Sequence, residues 1–578
     1  MLQNIKKINL DQILTLLIVV SFVYTSFYNL LFFELINSPD YEYYFSYIET
    51  FFKINEQSNL EQGLIYHFLI ALVLVLSESS INGPNVEIYV SNAIHLVNNL
   101  LFLIGLLGTN KLLKFYSVKS TDRKLFILLS IFLPFIMQAR FHYKPEIFAI
   151  AFIPWLFFNI LKNLKEKKFE NLIISIIIFV GSAFLKGNIF TMLSILIFLV
   201  VVKDLKKIPL IHTFKALFYL IIISVPLLYE NQRFNGTNLF SNTQKRIDSE
   251  VYQNTVTVDF FTNFSFYKFI RKPNFDPENV NFFSTIFVDT FNDFFGVSWN
   301  IDHFPMIKEY SLFENWILNG LFNYAEYYLA FILSIFFYTT LIIFMIKSKN
   351  EIERVFYAAP FIGIFVLLIN SLGIPFNNFD PEKGDTFKTI YFSFLLFITF
   401  IYLFKNITLN KRKTFKFLGI LFLIIFSIFS MGINTEIFKN QKFVEQKSFV
   451  LQHTPACNIG DFIDFGLFSV NCNPPSDECS EPKLKDNYTK KEIKEDGKII
   501  FYEDGAFKQI YLINDDNFDT KLVKGFDECY HYQELGYSHP FKLKNLRIPF
   551  LNLFLFLLMM ASIFRSLFFN NLNLRKTN

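Results

Sequence analysis

Apolar runs cut by short, Lys-rich segments succeed one another along most of the chain, and that alternation is its first signal. The run from Ile13 to Phe33 covers 21 mostly apolar residues, about the length that carries a helix across a bilayer. It is too long for a signal-peptide core and has no A-x-A-like cleavage site, so it reads as an uncleaved anchor. Further spans are expected near Tyr89–Gly108, Leu125–Gln138, Ile147–Leu161, Leu172–Leu185, Ile189–Val202 and Phe214–Leu228. The remainder fall near Tyr327–Ile346, Val355–Gly373, Thr389–Phe404, Phe417–Met431 and Phe550–Phe569, which makes twelve. The expected fold is an all-α polytopic membrane protein. Leu64–Leu76 (LIYHFLIALVLVL) is apolar but only 13 residues long, which predicts a helix lying in the interface instead of a crossing.

Charge supports that choice. If Leu64–Leu76 does not cross, both termini are cytoplasmic. The inner segments then hold 24 cations, against six (Lys53, Arg140, Lys144, Lys186, Lys383, Lys388) in the short outer loops. This is the positive-inside pattern, and it predicts a multi-pass protein of the inner (plasma) membrane. Residues 1–432 form the expected transmembrane module, with outer loops at 34–88 and 229–326. Residues 433–547 form an extracytoplasmic domain, and 548–578 the last helix and a cytoplasmic tail. In the 433–547 domain, KIIFYEDGAFKQIYLI carries a hairpin signal at Asp504-Gly505. Aromatic stretches such as TIFVDTFNDFFGVSW in the longer outer loop read as re-entrant or interfacial helices.

Composition excludes an ordinary soluble chain: of 578 residues 52% are hydrophobic, 19% aromatic and only 18% charged. Four cysteines, Cys457, Cys472, Cys479 and Cys529, all fall in the 433–547 stretch. They predict two disulfides in an oxidising compartment, with three pairings open. A zinc site is the weaker reading, because no C-x-x-C spacing occurs. Asp515, Asn517 and Asp519 lack the following Gly of a calcium loop and read as a surface turn.

Several expected spans hold only about 15 apolar residues, short of the roughly 20 a full crossing needs. Their outer turns are therefore expected below the membrane surface, lining a watery cavity or buried in protein. Four polar breaks stand out. Asp40 and Glu42 follow the first span in SPDYEYYFSYIETFF, where Ser38-Pro39 also fits an ordinary helix start. Arg140, His142, Lys144 and Glu146 crowd the short turn ARFHYKPEIF, and ionisable groups at membrane depth are functional candidates. Lys186 stands alone between two apolar runs in AFLKGNIF, as an anion ligand or a snorkelling side chain. Lys388 follows Asp380, Glu382 and Asp385, which offer it local neutralisation. Asn92, His95 and Asn99 share one helix face and read as a packing network.

The order of these parts over Ile13–Val202 resembles the GT-C superfamily of polyprenyl-phosphate-sugar-dependent glycosyltransferases. The branch it looks most like contains the protein O-mannosyltransferases and the lipid A aminoarabinose transferase. The acidic first loop, EQGLIYHFL with Tyr66 and His67, the second acidic turn and the Lys-Gly turn carry the likeness. The first motif departs from it, with Tyr41 standing between the two acids.

The resemblance implies transfer of a sugar, with inversion, to an extracytoplasmic glycan, lipid or protein. Asp40 would be the catalytic base, Glu42 a secondary acid and Glu146 the second-loop acid. Arg140, Lys144, Lys186 and Lys388 would face the donor phosphate, with His142, Tyr66 and His67 in the pocket. Expected partners are the lipid-linked donor, membrane lipids and the acceptor, with no nucleic acid. No nucleotide-binding glycine loop is evident, and whether a divalent metal joins the carboxylates stays open. A transporter or flippase for a lipid-linked or anionic substrate is the main rival, although two related halves are not evident. A lipid-linked oligosaccharide polymerase or ligase is a third reading.

Overall fold

A computed structural model describes residues 10–32, 47–48, 50–52, 63–77, 86–203, 210–235, 258–262, 264–271, 281–291, 321–373, 388–409 and 546–568, with strand segments between 462 and 537. Asp40, Glu42, the four cysteines, the Asp504-Gly505 turn and the expected span Phe417–Met431 lie outside the described residues.

The chain is a helical polytopic membrane protein. In order, the helices are α1 (Leu10–Phe32), α2 (Leu64–Leu76), α3 (Val86–Phe115), α4 (Ser120–Ser130), α5 (Pro134–Phe141), α6 (Glu146–Glu166), α7 (Phe169–Ala183), α8 (Gly187–Lys203) and α9 (Leu210–Asn235). Three short helices follow, α10 (Val258–Thr262), α11 (Phe266–Arg271) and α12 (Phe282–Asp289). Then come α13 (Leu321–Lys347), α14 (Glu351–Gly373), α15 (Ser393–Leu409) and α16 (Phe550–Phe568), with a 3-10 turn at Thr389–Phe392 before α15. Among the described residues eight helices are long and apolar enough to cross a membrane, and a ninth crossing results if α4 and α5 form one span.

The expected straight span Leu125–Gln138 is instead broken. α4 and α5 meet at a 57° bend, because Pro134 cannot donate to the preceding turn and pushes Leu133 out of helical conformation. Leu133 is accordingly extended, at φ −66° and ψ 126°. Pro360 is tolerated inside α14 for a complementary reason. Its ring removes the hydrogen bond that Phe356 O would accept, and Thr399 Oγ1 of α15 donates to that oxygen at 2.8 Å, as a buried backbone group requires.

Small residues bring the central helices together. A Cβ on Gly108 of α3 would lie 2.7 Å from Trp155 Nε1 of α6, and one on Gly105 would lie 3.1 Å from Ile150 O. The last helix is fastened at both ends. Glu230 of α9 accepts from Leu551 N at 2.9 Å and Asn552 N at 2.8 Å, capping the α16 N-terminus. Lys111 Nζ donates to Ser566 O and Leu567 O at 3.1 and 3.3 Å, capping its C-terminus. Each charge has the sign that the helix dipole favours.

These contacts define two ends of the bundle. At one, Lys124 pairs with Asp11, Arg565 with Glu170 at 2.7 Å, and Lys405 with Glu353. Lys-rich segments expected on the inner side thus gather at one end. At the other end lie the α5–α6 turn, the α7–α8 turn and the start of α16.

The described part of 433–547 consists of two three-stranded antiparallel sheets. In the second, Asp515 pairs with Phe518, so only two residues separate the strands. Asp515 and Asp519 therefore belong to a hairpin.

Candidate functional site

The site is built where short helices leave polar turns inside the bundle. Helix α7 has 15 residues and α8 has 17, so the turn between them stops short of a full crossing. The α5–α6 turn is equally recessed. Asn98 of α3 donates from Nδ2 to Arg140 O at 3.0 Å and His142 O at 2.9 Å. Asn98 is twelve residues into α3, so this turn meets α3 about 18 Å from its first residue at 1.5 Å per residue.

Glu146 opens α6, where the helix dipole favours a carboxylate. Its side chain is fully buried. Lys186 lies just before α8, and its Nζ donates to Glu146 Oε1 at 3.0 Å. The ammonium also lies 4.1 Å from the centre of the Tyr391 ring, a cation–π contact. Glu146 Oε2 is buried without a hydrogen-bond partner among the described residues. The buried charge is thus neutralised on one oxygen, leaving the other as an acceptor.

Helix α2 closes this depression. It has the bounds expected from the sequence, but its Tyr66 and His67 are fully buried; it is packed against protein and does not lie free on the interface. Gly63 N donates to Leu185 O at 2.7 Å, which seats the start of α2 on the Lys186 turn. Only glycine allows that approach, since a Cβ would stand 2.3 Å from Phe184 O. Tyr66 donates to Asn98 Oδ1 at 2.8 Å, and His67 Nδ1 is hydrogen-bonded to the Tyr143 hydroxyl at 2.6 Å. Tyr47 packs edge-on against His67 with ring centres 4.8 Å apart.

The remaining expected residues separate into two groups. His142 and Lys144 are buried in the α5–α6 turn beside Tyr143. Lys388 is half-buried and precedes the turn that supplies Tyr391; Asp289 of α12 anchors that turn by accepting from Thr389 N. Arg140 points elsewhere. It is fully buried, and Nε, Nη1 and Nη2 donate to Asn99 Oδ1 (2.6 Å), Thr25 Oγ1 (2.9 Å) and Ser26 Oγ (2.7 Å). Its guanidinium carbon also lies 5.1 Å from the ring centres of both Phe22 and Phe102. These contacts tie α1, α3 and α5 together.

Asn98, Tyr143, Tyr391 and Asp289 were not singled out by the sequence. Tyr143 lies within ARFHYKPEIF, but one aromatic carries little signal in a chain so rich in them. Among the described residues no group of three or more His, Cys, Asp or Glu side chains is placed to hold a metal ion. No family model matches the chain, and neither a curated protein nor a solved structure matches it.

Proposed function

We propose that the chain is an integral membrane glycosyltransferase that moves a sugar from a polyprenyl-phosphate-linked donor to an extracytoplasmic acceptor. The observation that carries this reading is the Glu146–Lys186 contact. The second-loop acid and the Lys-Gly turn, which the resemblance assigns to one site, meet inside the bundle. The pair is recessed and flanked by aromatic rings, as suits a sugar phosphate whose lipid tail stays in the bilayer.

In this reading Asp40 takes the proton from an acceptor hydroxyl or amine as that atom attacks the anomeric carbon. The bond from that carbon to the phosphate oxygen breaks, and polyprenyl phosphate leaves with the electron pair. A single in-line displacement inverts the anomeric centre. Lys186 supplies positive charge to the departing phosphate, with Lys144 and Lys388 as further cations. Glu146 orients Lys186, and its second oxygen is an acceptor for a sugar hydroxyl. Arg140 serves as a clamp between helices in place of a phosphate contact. Asp40 lies seven residues before Tyr47 in the sequence, and Tyr47 packs against His67.

The bundle would stand with its cation-rich end in the cytoplasm and the site facing outward, with α7 and α8 as two thinned crossings. Assaying purified protein for release of polyprenyl phosphate from such a donor, in the presence of acceptor, tests the proposal. Movement of the intact lipid across vesicles without sugar release would favour the transporter reading.

A further inference from the structure

A second feature lies at the opposite, cation-rich end, on the outside of the bundle. Helices α3 and α16 enclose a groove of about 800 Å³, lined by Ile104, Leu107, Met560, Ala561, Ile563 and Phe564 among others. Leu107 and Phe564 are exposed there, so the groove opens towards the lipid. It is too apolar to hold a soluble polar molecule, and its volume falls within the range of small-molecule sites.

Its mouth is cationic. Arg565 lines the groove directly. Lys111 spends two N–H groups on the α16 carbonyls, which leaves a third donor. Lys114 and Lys162 stand close enough to Lys111 to repel it, as Lys168 and Arg565 do to Lys162. Two carboxylates answer these five cations: Glu166 lies 3.9 Å from Lys162 and 3.8 Å from Lys168, and Glu170 pairs with Arg565. Lys114 is exposed and has no ion-pair partner among the described residues. Like charges held this close repel one another, and one phosphate between them would reverse the sign of that interaction.

We infer that one anionic diacyl phospholipid binds here, an acyl chain in the α3–α16 groove and its phosphate against Lys111, Lys114 and Lys162. The two halves of the site argue for the same molecule. The groove accepts a chain, the cations accept a phosphate, and they adjoin where the membrane core meets its headgroups. Binding would hold the last helix against the bundle from outside, reinforcing the Lys111 cap.

Native mass spectrometry of the full-length protein in detergent, with equal dioleoyl phosphatidylglycerol and dioleoyl phosphatidylcholine, tests the inference. One phosphatidylglycerol should be retained in preference to phosphatidylcholine. The double variant Lys114→Gln/Lys162→Gln should weaken retention about fivefold per lysine. Lys111 is left intact, so the α16 cap survives. Ala561→Trp fills the groove without altering charge and should displace the lipid as well. Equal retention of both lipids, or unchanged phosphatidylglycerol retention in either variant, would overturn the inference.

Discussion

Lys186 Nζ and Glu146 Oε1 lie 3.0 Å apart across forty residues of sequence, with the carboxylate fully buried. The contact fixes the α7–α8 turn against the start of α6 and places a compensated charge inside the bundle. Removing one partner of such a pair leaves an uncompensated buried charge, at a cost of about 3–5 kcal/mol. Lys186→Met should therefore lower the thermal unfolding midpoint in detergent markedly. Adding Glu146→Gln should restore much of it, because the orphaned charge is gone. Equal losses in the single and double variants would mean that the two side chains are not coupled.

Arg140 separates a structural role from a donor-binding one. Arg140→Lys keeps the charge but cannot donate to Asn99, Thr25 and Ser26 together. Hydrogen bonds made by a charged group are worth about 1.5–3 kcal/mol each, so stability should fall. The donor KM should stay near that of the unaltered protein, whereas Lys186→Met raises it. A steep KM increase in Arg140→Lys would return the guanidinium to the phosphate site.

The seating of α2 depends on Gly63. Gly63→Ala pushes a methyl group into Phe184 O and must shift either α2 or the Lys186 turn. Overpacking of this kind costs about 1–3 kcal/mol. Sugar transfer should drop with it, since Tyr66 and His67 move with the helix. Unchanged thermal stability and activity would show that the close approach is not needed.

The path of α2 has its own test. The partners of its first turns are Leu185, Asn98 and Tyr143, all around the recessed turns; Phe51, which packs against its Phe68, accepts from Arg547 N just before α16. These contacts seat the first turns of α2 at the end of the bundle that carries the recessed turns, and in the proposed arrangement the helix stays on that side of the membrane. Ser46→Cys and Ser80→Cys, on either side of it, should both react with an impermeant maleimide from the same face of the membrane. Reaction from opposite faces would make α2 a span and invert the orientation of everything after it.

Much of the helical framework was legible in the chain because apolar length and Lys placement are local signals. Leu64–Leu76 has the same ends in the sequence pattern and in the fold. The break at Pro134 was less visible, since hydropathy averages over a proline that disrupts one turn. Glu146 and Lys186 stood out as ionisable groups between apolar runs. Their pairing did not, because it depends on how the α7–α8 turn packs against the start of α6 and not on spacing. Arg140 shows the same limit: its position in a polar turn between spans suits a phosphate, and only packing reveals Thr25, Ser26 and Asn99 around it. Asn98 carries two backbone carbonyls of the α5–α6 turn, a task that no motif marks.

Sugar transfer itself is the decisive measurement. Purified protein in liposomes, given a polyprenyl-phosphate-linked sugar donor and extracts of extracytoplasmic acceptors, should release polyprenyl phosphate and label an acceptor with inverted anomeric configuration. Asp40→Asn should remove nearly all of this turnover while leaving donor binding intact, and Lys186→Met should weaken both. Full turnover in Asp40→Asn, or donor that crosses the bilayer uncleaved in the unaltered protein, would contradict the account.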